Sequence, residues 1–300
     1  MPGSPPLSRL PQASLTVLLV GASGFVGGNA LRALCRIPHI SVRTLTRRSQ
    51  ISVGLDQLES VSGNISDRSS VLRAAVGVDT IVNAASYVGH DSKQAETTNL
   101  EGVRNLTDAC AIAGVSKLIH VSTTAVYGFG PFRGLEPDQC RFAPESIASQ
   151  SRVAGDAAVL AAGGTVLRPS LIYGPGDKWL FPGLARMFSA LGATIDGGSA
   201  ALSTIAASTL GDLIATIATT GEDVAGPYHA SDLTPTTLES MLGLVKGQGN
   251  EIDTASSVGL NEAIERLTPL GFTEHQVRMV GEDYWFDSKP IWDIKRRAGR

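Results

Sequence analysis

The sequence predicts an α/β protein built on a doubly wound parallel sheet, and two observations carry that expectation. Short runs rich in Val, Ile, Leu and Thr alternate with longer amphipathic stretches, and a glycine-rich turn, GASGFVG, follows the first apolar run directly. Alternation of this kind requires parallel strands joined by crossover helices that cover both faces of one sheet. At 300 residues, 43% hydrophobic and 18% charged, the chain can bury one large core together with a smaller lobe.

The opening MPGSPPLSRLPQAS is rich in Pro and Ser and reads as a poorly ordered arm over residues 1–13. The run Leu15 to Val20 is too short for a signal-sequence core and becomes the first strand. A helix is expected over about 25–36, then the strand SVRTLT, then helices over about 67–76, 93–113 and 150–162. DTIVNAA and KLIHVST are strands between them, and TVLRPSLIYG is read as one further strand. Residues 14–174 therefore form the expected nucleotide-binding domain. Helices near 180–191, 209–220 and 236–246 place most of residues 175–300 in a second lobe, with some elements returning to the sheet. In open α/β sheets ligands bind beyond the carboxyl ends of the strands, so this lobe is expected to cover the site.

A net charge of -3 and a pI near 6.0 supply no basic field for a polyanion, which argues against nucleic acid as a partner. No apolar stretch approaches the roughly 18 residues that span a bilayer. Cys35, Cys110 and Cys140 are odd in number and lack metal-ligand spacing, which suits reduced thiols in a cytoplasm and no metal site.

Gly21, Gly24 and Gly27 stand where a dinucleotide fingerprint requires them, between a strand and a helix, with Ser23, Phe25 and Val26 completing the turn. One glycine makes the tight turn, one lets a pyrophosphate approach the backbone, and one lets helix and strand pack closely. The helix N-terminus adds free N–H groups and a favourable dipole. An acidic residue at the end of the second strand would hold a ribose 2′-hydroxyl, but here LTRRS places Arg47 and Arg48. A guanidinium holds a 2′-phosphate by charge-assisted hydrogen bonds, so NADPH is the expected cofactor; a solvated arginine pair is the alternative.

With these motifs in place, the chain from Leu15 to WFDSKPIWDI resembles the extended or atypical short-chain dehydrogenases, the NAD-dependent epimerase/dehydratase type. GASGFVG, SGNISD, NAAS, TTNLEGVRNL, VSTTAVYG and RPSLIYGPGD recur in that family's order. The resemblance implies that Asn64 and Ile65 flank the adenine. It also implies that Ala84, Ala85 and Ser86 line the ribose and phosphates, and that Pro169, Ser170 and Leu171 approach the nicotinamide. In the family a serine or threonine positions the carbonyl, a tyrosine handles the proton, and a lysine four residues later holds the ribose. Thr123 matches the first role. Ala148 stands where the tyrosine belongs and Arg152 where the lysine belongs, so Arg152 holds the ribose, favours an anion, or lies on the helix surface.

No YxxxK spacing occurs anywhere in the chain. Tyr87 and His90 are the remaining proton carriers near the expected site, each with a plainer role as wall or loop residue. A hydride transfer without a positioned acid forgoes about 10²- to 10⁴-fold in rate. The missing pair resembles the simocyclinone-type angucyclinone C-7 ketoreductases, and the composition resembles actinomycete secondary-metabolism enzymes, which implies antibiotic biosynthesis. No Lys or Arg occurs between Arg186 and Lys246, so the lobe offers no clamp for a diphosphate sugar and suits a neutral aromatic polyketide ketone. The expectation is an NADPH-dependent ketoreductase with substrate-assisted proton transfer. A non-enzymatic NADP(H)-binding regulator and a sugar-nucleotide epimerase or dehydratase are the alternatives.

Overall fold

The computed structural model describes residues 15–47, 58–250 and 252–299; the expected arm over 1–13 and Arg48 lie outside the described residues. The chain begins with β1 (Leu15–Val20), α1 (Phe25–Leu34), β2 (Ile40–Thr46), β3 (Leu58–Ser62) and α2 (Arg68–Ala75). It continues through β4 (Thr80–Asn83), α3 (Ser92–Glu96), a π turn over Thr97–Glu101, α4 (Gly102–Ala113) and β5 (Lys117–Val121). Next come β6 (Phe132–Leu135), α5 (Ile147–Ala161), β7 (Thr165–Arg168), β8 (Leu171–Tyr173), α6 (Leu180–Leu191) and α7 (Ala207–Thr219).

Seven parallel strands form the main sheet, in the order Gly226–His229, β7, β5, β4, β1, β2, β3. Strand order reverses between β1 and β4, the point at whose carboxyl ends open α/β sheets bind ligands. The period-2 alternation of strands divides the core in two. Val17 and Leu19 of β1 face one layer, built on α1, α7 and the C-terminal helix Lys289–Ala298 with Leu213, Ile217 and Ile291. Leu18 and Val20 face the other, where α2, α4 and α5 contribute Val71, Leu106 and Val159.

The second lobe has its own core of Phe181, Leu184, Phe188, Met241, Val277 and Phe286, gathered from α6, the helices Leu238–Gly247 and Glu274–Gly281 and the strand Tyr284–Phe286. A four-stranded sheet edges it, ordered Thr236–Thr237, Ala201–Leu202, Tyr284–Phe286, β6. No helix among the described residues is long and apolar enough to cross a membrane.

Three elements differ from expectation. TVLRPSLIYG is not one strand: β7 belongs to the main sheet, whereas β8 pairs with Thr204–Ala206. Pro169 has no N–H to donate to a ladder, and the chain changes sheets there. The helix expected over 93–113 is interrupted by the π turn that carries Asn99. Finally, α5 starts at Ile147 because Ser146 and Ser149 close a capping box, which brings Ala148 into the first helical turn.

Candidate cofactor and substrate site

The glycine turn stands at the reversal point. Gly21 has φ of +86°, and a Cβ there would lie 2.5 Å from the backbone N of Ala85, so the turns after β1 and β4 touch. Gly27 packs α1 onto the turn, since its Cβ would lie 2.1 Å from the Gly21 carbonyl oxygen. Gly24 caps α1 and donates its N–H to Gly21 O at 2.9 Å. Ser23 and Gly24 are exposed, Phe25 and Val26 half-buried, and no side chain caps the helix. Backbone close to open space plus an uncapped helix N-terminus fits a pyrophosphate. Arg47 is exposed one residue beyond β2; Val20 pairs with Leu45, so Arg47 stands level with the beginning of the turn. Beyond β3, Asn64 is half-buried, and Ile65 is buried against Gly102 and accepts a hydrogen bond from Asn105.

Asn83, at the end of β4, sets the next layer. Its Oδ1 accepts from Ala85 N at 3.1 Å, which turns its Nδ2 toward His120 Nδ1 at 3.0 Å. His120 Nδ1 is then an acceptor, and the ring proton sits on Nε2, 3.7 Å from Asp156 Oδ1. Burial lowers the His120 pKa to about 4, against the opposing pull of Asp156, so the ring is neutral at pH 7. Asp156 Oδ2 accepts from Arg168 Nε at 2.9 Å, and Arg168 Nη1 donates to Tyr127 Oη at 2.9 Å. His229 Nε2 completes the chain 2.9 Å from that same hydroxyl.

Ala148, Arg152 and Asp156 are four residues apart and share one face of α5. Arg152 is half-buried, and its Nε donates to Ser86 Oγ at 2.9 Å while Nη2 bonds the same oxygen. Desolvation lowers its pKa to about 10, partly offset by Asp156, and the guanidinium stays charged at neutral pH. Ser86 and Tyr87 are held from the π turn: Asn99 Oδ1 accepts from Tyr87 N at 2.8 Å, and Asn99 Nδ2 donates to Tyr87 O at 2.9 Å and to Ser151 Oγ at 2.9 Å. The contact depends on Gly155, whose Cβ would lie 2.3 Å from Asn99 O.

Thr123 is half-buried just after β5, and its hydroxyl accepts from Ala125 N at 3.2 Å. Thr124 N donates to Pro169 O at 3.0 Å, so this corner adjoins the Pro169, Ser170 and Leu171 segment. None of the five tyrosines takes the place that Ala148 leaves. The Tyr87 hydroxyl folds back over Gly89 and accepts from Asp91 N at 3.2 Å. Tyr127 is buried, and desolvation raises its pKa to about 12 against the pull of Arg168. Tyr284 donates to Thr124 O and Gly128 O, Tyr173 stacks on Phe181, and Tyr228 bonds Ala225 O on the edge strand. His90 is exposed on the loop after β4.

The structure thus joins Gly21 to Ala84 and Ala85, Arg152 to Ser86, and the Thr123 corner to Pro169; the Tyr87 hydroxyl is turned to Asp91 N, and His90 is exposed on its loop. Sequence reasoning missed Asn99 and the His120–Asp156–Arg168 chain. A signal existed in each case: an asparagine inside a helical pattern, and a helix glycine, Gly155, directly before Asp156.

Residues 17–199 match the model of the NAD dependent epimerase/dehydratase family, and the chain belongs to that family. It is 30% identical over 187 residues to a 2-alkyl-3-oxoalkanoate reductase of Stenotrophomonas maltophilia, covering 57% of this chain and 55% of that one. It is 31% identical over 199 residues to a 3 beta-hydroxysteroid dehydrogenase/Delta 5-->4-isomerase of Mycobacterium tuberculosis, covering 58% and 53%. The chain therefore spans about half the length of these curated relatives. Among solved structures it resembles the dTDP-glucose 4,6-dehydratase DesIV of Streptomyces venezuelae with NAD bound, with a TM-score of 0.70, 21% identity, and 95% and 91% of the two chains covered. It also resembles the terminal R domain of the myxalamid PKS-NRPS pathway, with a TM-score of 0.73, 18% identity, and 95% and 85% covered.

Proposed function

We propose that this chain is an NADPH-dependent ketoreductase of secondary, antibiotic-type metabolism, acting on an aromatic polyketide-like ketone whose own hydroxyl supplies the proton. The observation that carries the reading is that Thr123, a half-buried hydroxyl just after β5, is kept at the family's carbonyl-positioning place while Ala148, in the first turn of α5, stands where that family has its tyrosine. A nicotinamide cofactor supplies hydride when bound. The chain's part is to hold the pyrophosphate on the Gly21–Gly27 turn, receive the 2′-phosphate at Arg47, orient the ketone oxygen from Thr123 and exclude water with the second lobe. An acid fixed beside the carbonyl within the substrate gains effective molarities of about 10⁵ M or more, enough to replace a tyrosine. The relatives named for an oxoalkanoate and a hydroxysteroid support a lipophilic carbonyl or alcohol, and the absence of Lys and Arg between Arg186 and Lys246 agrees.

The test compares NADPH oxidation with a peri-hydroxy aromatic ketone and with its O-methyl ether, after binding of both is established. Reduction of the phenol alone is expected. Equal rates would overturn substrate assistance. The same missing acid also suits a non-catalytic NADP(H) sensor, and cofactor binding without oxidation by any ketone is the outcome that favours it.

A further inference from the structure

The charges around Ala148 do not cancel. Asp156 is the carboxylate of this neighbourhood, and its Oδ2 is engaged by Arg168 Nε. His120, on the other side of Asp156, is neutral, with Asn83 bonded to its Nδ1. Ser86, on the loop after β4, is the residue that the Arg152 guanidinium bonds, and its hydroxyl is neutral. Arg152 is thus a half-buried cation held by one serine oxygen, with no carboxylate on its guanidinium among the described residues. Of its three nitrogens, Nε and Nη2 converge on Ser86 Oγ, which leaves Nη1 as the donor without a partner. It sits one helical turn beyond Ala148, the position where the family has its tyrosine. A desolvated cation is costly until an anion meets it, and guanidinium groups favour oxyanions.

We propose that Arg152 is a specificity-determining residue that pairs with a phenolate or enolate oxygen of the substrate, in addition to any contact with cofactor. The proposal rests on the ketoreductase reading above. As the reduced nicotinamide is oxidised, its hydride adds to the ketone carbon and the carbonyl electron pair moves to oxygen. That oxygen takes the proton of the neighbouring phenol, whose O–H bond breaks to leave a phenolate. Arg152 is the counter-ion of that phenolate until water reprotonates it on release. Substrates with an acidic hydroxyl beside the ketone are therefore selected over those without one.

The charge pairing is read without turnover. A peri-hydroxy tetralone is bound to the protein saturated with NADP⁺, which cannot deliver hydride, and the ligand's phenolate absorbance is titrated against pH. An opposite charge at contact lowers an acid's pKa by about 1–3 units, so ionisation of the bound phenol is expected at least about one pH unit below that of the free ligand. Arg152→Gln should remove that shift, and Arg152→Lys should keep part of it. Affinity for the O-methyl ether should be the same in all three proteins. NADP⁺ affinity and thermal melting of each variant report folding and any ribose contact. A phenol that ionises alike in wild type and Arg152→Gln overturns the proposal, as does failure of the tetralone to bind. If Arg152→Gln changes only NADP⁺ affinity, the residue serves the ribose alone. If the shift is present but no ketone is reduced, the counter-ion role stands and the ketoreductase reading falls.

Discussion

Asp156→Ala tests the buried polar chain on which Arg152 and the site rest. The Arg168 and Asp156 side chains are 2% and 1% exposed, and their contact is a single 2.9 Å hydrogen bond between ions. Removing the carboxylate leaves a guanidinium in the core with one neutral partner, Tyr127, and two rings, those of Tyr127 and Phe142 at 5.5 and 5.0 Å. Cation–π attraction is worth about 0.5–2 kcal/mol and does not offset an unpaired buried charge. Breaking such a pair from one side costs about 3–5 kcal/mol, a large share of the 5–15 kcal/mol (roughly) that holds a domain together. Guanidinium unfolding followed by tryptophan fluorescence measures it. Asp156→Ala combined with Arg168→Met removes both charges and should recover most of the loss, because an apolar replacement for a buried pair is often neutral. A single-variant cost below about 1 kcal/mol, or a double variant as unstable as the sum of the singles, would refute the claim that this pair is desolvated and mutually dependent.

Arg47→Ala should weaken NADPH binding about 10- to 100-fold and leave NADH binding unchanged, since hydrogen bonds to a charged group are worth about 1.5–3 kcal/mol; calorimetry with both cofactors checks this, and equal affinity of the parent for the two would count against the arginine. Gly27→Ala forces a Cβ to 2.1 Å from the Gly21 carbonyl and should lower both melting temperature and cofactor affinity. Gly28→Ala is the control, because its Cβ meets nothing nearer than 3.5 Å. Stability should fall on acidification. Burial lowers His120 to about 4 and His229 to about 3, so below about 6.5 the unfolded chain binds protons that the folded one refuses. Stability is therefore full above pH 6.5 and declines toward pH 4, by up to about 1.4 kcal/mol per unit for each histidine. His120→Gln should make the fall shallower, and a denaturation midpoint unchanged between pH 7 and 5 would contradict the neutral buried rings.

The glycine turn and the parallel sheet were legible because each follows from local rules: backbone sterics at Gly21, short apolar runs, crossover length. Elements defined by distant partners were not. β8 leaves the main sheet because Pro169 breaks the ladder and Ser203 O is ready to receive Leu171 N, and nothing near position 170 announces that second partner. The loss of the usual tyrosine was visible at Ala148 from the motif register, yet the tie of Arg152 to Ser86 depends on a fold that brings positions 66 apart together. Tyr87 shows the opposite limit. Its place after β4 suggested a proton carrier, and only its rotamer shows the hydroxyl turned onto Asp91.

The unit that matches by homology and the unit that folds end in different places. The match stops at residue 199, but the layer over one face of the main sheet is completed by Leu210, Leu213, Ile214 and Ile217 of α7 and by Ile291 and Ile294 near the C-terminus. The seventh strand, Gly226–His229, comes from the same later region. A chain cut after Gly174 would retain every glycine of the phosphate turn while exposing an oily sheet face and the open side of β7. Residues beyond the matched span therefore close the scaffold that carries the phosphate turn, and the nucleotide-binding half depends on them to cover its sheet.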